Sequence, residues 1–231
     1  VSCQEDLFNK GLQQFDNKQF EQAAETFKQV VEKSPNDYVA VYNVGLCYYN
    51  LKQYSKAVDY FQQSIAINSN YARAHTYLGI SLDYLNRSDE AVAQLQKAIQ
   101  LDPNNHTPYF ELGITQKNRK EFAEAIKSFQ TAARLKPDYY RSFQELGDLY
   151  NVQKMFTEAI DAYQKVINLN PKFSDAYFGL GNAYYNSSRW EESIEYYKKA
   201  VELDPNWTTA HLYLADTYLN TKQYEQAVTE Y

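Results

Sequence analysis

Residues 174–207 read SDAYFGLGNAYYNSSRWEESIEYYKKAVELDPNW, and a version of this stretch recurs every 34 residues along the 231-residue chain. The prolines that mark the period are 34 or 68 residues apart: Pro35, Pro103, Pro137, Pro171 and Pro205. Ser69 stands where the missing proline would lie. We number each repeat so that its proline occupies position 32. This numbering predicts six full repeats and a partial seventh, at 4–37, 38–71, 72–105, 106–139, 140–173, 174–207 and 208–231.

Two apolar stripes in each unit predict two helices. Positions 4, 7, 8 and 11 form the first stripe and positions 17, 20, 21, 24, 27 and 28 form the second, and both spacings fit the 3.6-residue helical period. The second helix should end before position 32, because proline cannot extend the helix and restricts the residue before it. Polar residues such as Asn186, Ser187 and Ser188 separate the stripes. Each unit is therefore predicted to be two antiparallel helices joined by a tight turn.

Small residues occur at fixed positions in the repeat. Six of the seven glycines lie at position 8: Gly11, Gly45, Gly79, Gly113, Gly147 and Gly181. Position 20 is alanine in every repeat but one, and position 24 is large. Glycine inside a helix costs about 1 kcal/mol relative to alanine, so a compensating gain is required. We infer that the two helix backbones approach closely at positions 8 and 20, and that the side chain at position 24 fills space against the neighbouring repeat.

This pattern resembles the tetratricopeptide repeat (TPR), which has an aromatic at position 4, Leu-Gly at 7 and 8, Tyr at 11, Ala at 20, an aromatic at 24 and Pro at 32. The resemblance covers residues 4–231. It implies an all-α fold, a right-handed α-α superhelix or solenoid of helix–turn–helix repeats that contact their neighbours. We therefore expect residues 1–231 to form a single TPR solenoid.

The two ends of the array lead to different expectations. Lys10 and Gln14 replace residues that are apolar or aromatic in later repeats, which is typical of the terminal repeat of a solenoid. The seventh repeat keeps apolar residues such as Leu214 and Tyr218, so we expect the array to continue past Tyr231. Cys3, after Val1 and Ser2, also fits the modified cysteine of a bacterial lipoprotein. We expect a cytoplasmic location by base rate, with the bacterial envelope as the alternative if Cys3 is modified in this way.

Composition and motifs argue against several classes of function. The chain has 29 acidic and 23 basic residues and no Lys/Arg cluster, which disfavours nucleic acid. No apolar run reaches the ~20 residues of a membrane span. His75 and His211 occupy position 4, which is normally aromatic, so we expect packed imidazoles rather than metal ligands. No phosphate-binding loop, metal-site spacing or activated nucleophile is found. We predict no enzyme activity, no catalytic or metal-binding residue and no cofactor.

The resemblance implies where a partner would bind. In TPR arrays the first helices of the repeats line a concave groove that holds peptides, and positions 2, 5, 6, 9, 12 and 13 point into it. The residues that we assign to this groove are Phe8, Leu12, Tyr42, Asn43, Leu46, Tyr49, Arg73, Tyr77, Ile80, Tyr84, Phe110, Ile114, Lys117, Arg141, Asp148, Phe178, Asn182, Tyr185 and Tyr213. Position 9 is aliphatic in the first four repeats and becomes Asp148, Asn182 and Asp216 in the last three.

The chemistry of these positions predicts the kind of partner. Exposed apolar and aromatic rows mark binding sites, and the inward cations Arg73, Lys117 and Arg141 are outnumbered by acids. We expect a protein or peptide with apolar anchors for repeats 1–4 and neutral to basic character beyond. The family's carboxylate clamp for acidic chaperone tails needs Lys or Arg and Asn where this chain has Phe8, Leu12 and Tyr77. Such tails are therefore not expected.

Three functions are compatible with these observations. The first is a non-enzymatic scaffold that binds a peptide segment of a partner for complex assembly. The second is the substrate-recruiting TPR arm of a larger enzyme, for example a glycosyltransferase. The third is a TPR lipoprotein in envelope or pilus assembly. The sequence after Tyr231 would distinguish the first two, and the sequence before Val1 would test the third.

Overall fold

The computed structural model describes residues 3–231, with side chains from Glu5 onward. The side chain of Cys3, on which the lipoprotein hypothesis depends, is outside the described side chains. Within the described residues all regular secondary structure is α-helical, and the chain divides into two compact units, one that ends at residue 121 and one over residues 122–231. The first unit contains α1 (Cys3–Asp16), α2 (Phe20–Lys33), α3 (Tyr38–Asn50), α4 (Tyr54–Ile67), α5 (Ala72–Tyr84), α6 (Ser88–Leu101) and α7 (His106–Asn118). The second contains α8 (Phe122–Leu135), α9 (Tyr140–Val152), α10 (Phe156–Leu169), α11 (Ser174–Asn186), α12 (Trp190–Leu203), α13 (Thr208–Asn220) and α14 (Tyr224–Glu230).

Helices pair in sequence order within each unit. In the first unit α1 packs on α2, α3 on α4 and α5 on α6, and each pair contacts the helix that follows it. In the second unit the pairs are α9 with α10, α11 with α12 and α13 with α14. Apart from α1, which begins one residue earlier, the first helix of a repeat covers positions 1–13, and a complete second helix covers positions 17–30 and ends before position 32. The predicted all-α solenoid fold of helix–turn–helix repeats is confirmed, whereas one continuous array over 1–231 stays a prediction.

The turn inside each repeat has the same backbone geometry. The residue at position 15 has φ between 58° and 63° and is never glycine: Lys18, Lys52, Asn86, Lys120, Lys154, Ser188 and Lys222. In the second repeat the N–H of Gln53 donates to the carbonyl of Tyr48, and the N–H of Lys52 donates to that of Tyr49. These two bonds define a Schellman motif, which satisfies the last carbonyls of a helix. The seven turns therefore carry side chains in the left-handed region, which normally favours glycine.

The glycine at position 8 makes room for the ring at position 24 of the same repeat. A Cβ on Gly45 would lie 2.7 Å from Cε1 of Phe61, and one on Gly181 would lie 2.6 Å from Cδ1 of Tyr197. The predicted approach to position 20 is also present, because the buried hydroxyl of Ser193 donates a 3.0 Å hydrogen bond to the carbonyl of Gly181. The expectation that position 24 fills space against the neighbouring repeat is confirmed as well, because the Phe61 ring lies 6.0 Å from that of Tyr77 and the Tyr197 ring lies 5.8 Å from that of Tyr213.

Tyr163 fits between glycines of two successive repeats. It lies against Gly147 of its own repeat, where a Cβ would come within 2.8 Å of its ring, and against Gly179 of the next repeat. Its side chain is 1 % exposed. Gly179 is the one glycine outside position 8, and its missing side chain is explained by this ring.

None of the described helices is both long enough and apolar enough to span a bilayer.

Candidate peptide-binding surface

A cavity of about 590 Å³ opens on the first unit between the first helices of its repeats. Its lining residues are Phe8, Leu12, Val39, Tyr42, Asn43, Leu46, Tyr71, Arg73, Thr76, Tyr77, Asn105 and Thr107. Seven of them are predicted groove residues: Phe8, Leu12, Tyr42, Asn43, Leu46, Arg73 and Tyr77. The α1, α3 and α5 helices thus bring residues that are distant in sequence to one site, which we call the first-unit cavity.

The lining of this cavity is aromatic and aliphatic with a polar edge. Tyr42 is 5 % exposed and packs edge-on against Tyr71, with ring centroids 5.1 Å apart. Burial raises the pKa of Tyr42 far above its ordinary value, and the guanidinium of Arg73 only partly opposes that rise. Leu12 and Arg73 are exposed, whereas Phe8 and Tyr77 are half-buried. The cavity can therefore accept an apolar side chain beside a hydrogen-bonding or anionic group.

Five lining residues were missed by sequence reasoning. Tyr71 and Asn105 occupy position 34, immediately before the first helix of the following repeat, and the groove pattern does not include this position. Asn105 caps α7, because its Oδ1 accepts a 3.0 Å hydrogen bond from the N–H of Thr107. Val39 and Thr107 lie at position 2 and Thr76 at position 5, so the inward columns contained the signal for these three.

A second cavity of about 250 Å³ lies further along the first unit. Its lining residues are Ile80, Asp83, Tyr84, Asn86, Glu111, Ile114, Thr115 and Asn118, which include the predicted Ile80, Tyr84 and Ile114. Tyr84 is 57 % exposed and stacks on Tyr54 with ring centroids 4.4 Å apart. Tyr49 connects the two cavities, because its ring lies 5.5 Å from that of Tyr77 and 6.2 Å from that of Tyr84.

Two other predicted residues of the first unit line neither of these cavities. Phe110 is only 2 % exposed, so it belongs mainly to the core. Lys117 is half-buried in the last turn of α7.

The predicted residues of the second unit lie on α9, α11 and α13. Arg141 and Tyr213 are exposed, whereas Asp148, Phe178, Asn182 and Tyr185 are half-buried. The Phe178 ring lies 4.7 Å from that of Trp207 and 5.4 Å from that of Tyr213. These aromatic residues therefore form a cluster, and Trp207, again at position 34, is the member that sequence reasoning missed.

The polar residues at position 9 of the last three repeats have partners inside the protein. The hydroxyl groups of Tyr163, Tyr197 and Tyr231 donate 2.6 Å hydrogen bonds to Asp148, Asn182 and Asp216, respectively. In the first four repeats position 24 is Phe or Leu, which has no hydroxyl, and position 9 is aliphatic. The change at position 9, which we interpreted as a change in the partner's chemistry, thus has an internal cause as well.

Three residues of the types that most often bind metals or act as nucleophiles, Cys47, His75 and His211, are buried or hydrogen-bonded within the protein. Within the described residues, no group of three or more His, Cys, Asp or Glu side chains could hold a metal. Cys47 is buried, and its burial raises the pKa of the thiol to about 12, which disfavours the reactive thiolate. Nδ1 of His75 lies 2.7 Å from Oε1 of Gln94, and Nε2 of His75 lies 3.0 Å from the carbonyl oxygen of Ser69. His211 has equivalent partners, namely Glu230 and the carbonyl oxygen of Pro205.

Tetratricopeptide-repeat sequence families match most of the chain. The matched segments are 7–37, 38–71, 84–119, 106–139, 147–188, 174–206 and 196–229. The chain therefore belongs to the tetratricopeptide repeat family. The family and the fold support a general function as a protein-interaction scaffold, a role that is typically non-catalytic.

Solved TPR structures share this fold at low sequence identity. The C-terminal part of a TPR repeat-containing protein from Cytophaga hutchinsonii has a TM-score of 0.80 at 22 % identity, over 96 % of this chain and 92 % of that one. PilF of Pseudomonas aeruginosa has a TM-score of 0.79 at 18 % identity, over 94 % and 97 %. YrrB, described as a TPR protein with an unusual peptide-binding site, has a TM-score of 0.70 at 20 % identity, over 87 % and 99 %. No curated protein sequence matches this chain significantly.

Proposed function

We propose that this protein binds a peptide segment of a partner protein along the first helices of its repeats and so assembles a complex. The observation that carries the proposal is the first-unit cavity, whose lining includes seven residues that the repeat pattern predicts for a peptide-binding groove. YrrB, which has a similar fold, is described as a TPR protein with an unusual peptide-binding site, and this supports peptide binding in general.

The first-unit cavity favours a segment with an apolar anchor. Its walls include Leu12, Leu46 and the rings of Phe8 and Tyr77. Ligand sites are typically concave and mostly apolar, with a few polar groups that fix orientation. Asn43, Arg73 and Asn105 are such polar groups at this site.

The second unit favours a segment of neutral to basic character. Asp175 and Asp216 are exposed on its first helices, and Glu145 and Asp148 are half-buried there. Arg141 is the cation at the predicted groove positions of this unit. Complementary charge raises the association rate and disfavours partners of the wrong sign.

The test is a peptide-display selection on the intact protein, followed by affinity measurement for selected peptides. Leu12→Glu places a carboxylate in the cavity wall and should weaken selected peptides by tenfold or more, on the order of the loss at an interface hot spot. Ile67→Glu is the matched control, because Ile67 is 38 % exposed and Leu12 is 37 % exposed, yet Ile67 is outside the cavity lining. Equal weakening by both substitutions, or none by Leu12→Glu, would rule out this surface.

A further inference from the structure

Two aromatic clusters occupy identical repeat positions in the two units. The first cluster is Tyr42, Tyr49, Tyr71 and Tyr77, and the second cluster is Phe178, Tyr185, Trp207 and Tyr213. Each contains position 5, position 12 and position 34 of one repeat and position 6 of the next. The distances between ring centroids also correspond. In the first cluster they are 5.1 Å between positions 5 and 34, 6.0 Å between positions 5 and 6, and 5.5 Å between positions 12 and 6. In the second cluster the same three distances are 4.7, 5.4 and 6.3 Å.

The charges beside the two clusters differ. Arg73 lines the first-unit cavity together with Tyr42, Tyr71 and Tyr77. Its charge partly offsets the rise in pKa that burial causes at these three tyrosines. Glu111 acts on Tyr49 and Tyr77 at the other end. In the second cluster the residue equivalent to Arg73 is Thr209. No lysine or arginine of residues 122–231 makes a described contact with its four rings.

The second cluster has an acidic residue, Asp216, at a repeat position where the first cluster has none. Asp216 and Tyr213 are three residues apart on α13 and so lie on the same face of that helix. The Tyr197 ring lies 5.5 Å from that of Phe178 and 5.8 Å from that of Tyr213. Burial raises the pKa of Tyr197, and the charge of Asp216 adds to that rise. Asp216 is exposed, and its Oδ1 accepts the hydroxyl of Tyr231. Its Oδ2 receives no hydrogen bond from the described residues. The equivalent residue beside the first cluster is the aliphatic Ile80.

We propose that the second aromatic cluster, together with Asp216, binds an arginine side chain of the partner segment. The inference deepens the proposed function by naming one side chain of the ligand. Aromatic faces attract cations, and a planar guanidinium both stacks on rings and donates paired hydrogen bonds to a carboxylate. Tyr213 is 41 % exposed, so a ligand can reach the cluster. The first cluster, which already has Arg73 beside it, is expected to repel the same side chain.

Trp207 supplies a direct readout at the proposed site. The protein has two tryptophans, and Trp190→Phe leaves Trp207 as the only one. Phenylalanine suits that site because Phe20, Phe122 and Phe156 occupy the same repeat position. The probe is the peptide acetyl-Gly-Leu-Arg-Leu-Gly-amide, titrated while Trp207 fluorescence is recorded at low salt. The control peptide replaces arginine with citrulline, which has the same shape and no charge.

We expect the arginine peptide to bind about five- to tenfold more tightly than the citrulline peptide. Asp216→Asn should abolish most of this preference while keeping an acceptor for Tyr231, as Asn182 does for Tyr197. Thr209→Arg recreates the charge of the first cluster and should also abolish it. Asp161→Asn, the same change at an exposed carboxylate on α10, should have no effect.

The two proposals fail in different ways. Equal affinity for arginine and citrulline peptides, or a preference that survives Thr209→Arg, would overturn the arginine site even if selected peptides depend on Leu12. Equal binding of a lysine peptide would overturn the assignment to arginine. Loss of Leu12 dependence with a retained arginine preference at Trp207 would overturn the first-unit cavity as the peptide site and leave the arginine site standing.

Discussion

The hydroxyl of Tyr163 donates a 2.6 Å hydrogen bond to Oδ1 of Asp148, fifteen residues earlier in the chain. The bond spans the turn of one repeat, from the second helix to the first. Burial raises the pKa of Tyr163 far above its ordinary value, and the charge of Asp148 raises it further, so the phenol stays protonated as the donor. A buried polar pair of this kind is stabilising only while both members are present.

Tyr163→Phe should lower the free energy of unfolding by about 1–2 kcal/mol, because it removes the donor of this buried hydrogen bond and leaves Asp148 with the longer hydrogen bonds from Gln144. Adding Asp148→Leu recreates the pair found in repeats 1 and 2, where Phe faces Leu, and should restore part of the loss. Urea unfolding of the four variants measures the coupling. Tyr231→Phe removes the same bond from a residue that is 64 % exposed and should cost less. Additive losses in the double variant would contradict a coupled pair.

Gly45→Ala should destabilise the protein although alanine is the better helix former by about 1 kcal/mol. The new Cβ would lie 2.7 Å from the ring of Phe61, which is fully buried, and overpacking of this kind costs about 1–3 kcal/mol. Thermal unfolding of Gly45→Ala is to be compared with that of Ser55→Ala, an exposed position on α4. A rise in Tm for Gly45→Ala would show that the ring can move away at little cost.

The His211 imidazole should titrate above its ordinary pKa of 6.5, because its hydrogen bond to Glu230 favours the protonated form. A folded-state pKa above the unfolded value means that the added stability is present in full below about pH 6.5 and is lost as the pH rises through the folded-state pKa. Because the pair is partly exposed, we expect less than about 1 kcal/mol.

NMR titration of the imidazole protons in wild type and Glu230→Gln tests this expectation. The substitution gives His211 an amide partner, like the Gln94 partner of His75, and should lower its pKa. An unchanged pKa in Glu230→Gln would show that the carboxylate does not cause the shift.

Lys52→Gly should stabilise the second repeat by about 0.5–1 kcal/mol. Lys52 has φ of 58°, and a residue with a side chain in the left-handed region costs about 1–2 kcal/mol. Glycine removes this cost, but it also raises the conformational entropy of the unfolded chain, which cancels part of the gain in stability. Lys56→Gly is the matched control on helix α4 and should destabilise by about 1 kcal/mol. If Lys52→Gly also destabilises, the lysine side chain makes a contribution that outweighs the backbone cost.

Most of the fold could be predicted because every repeat carries the same local signals for its two helices. Proline at position 32 and the apolar stripes placed the helices, and α12 ends at Leu203, two residues before Pro205. The Schellman turns were not predicted, because lysine at position 15 does not indicate a left-handed backbone. Only the hydrogen bonds around Lys52 and its equivalents show it.

The candidate site was predicted in part. The columns of inward positions found seven residues of the first-unit cavity, but they missed Tyr71 and Trp207, which lie just before the first helices. They also did not show that Tyr42 and Phe110 are almost covered, because that burial comes from tertiary packing rather than from the face of one helix. The bond between Tyr197 and Asn182 crosses two helices, so no single-helix period reveals it. Comparing columns 9 and 24 repeat by repeat would have found it.

The tight contact between Gly45 and Phe61 has a consequence for how such a chain can grow. Both partners lie within one 34-residue segment, so a tandem duplication of the corresponding DNA copies the small residue and the ring that covers it together. The same holds for Asn182 and Tyr197. A newly added copy therefore arrives with its internal fit complete, and only the residues that meet a neighbour have to adapt after the event.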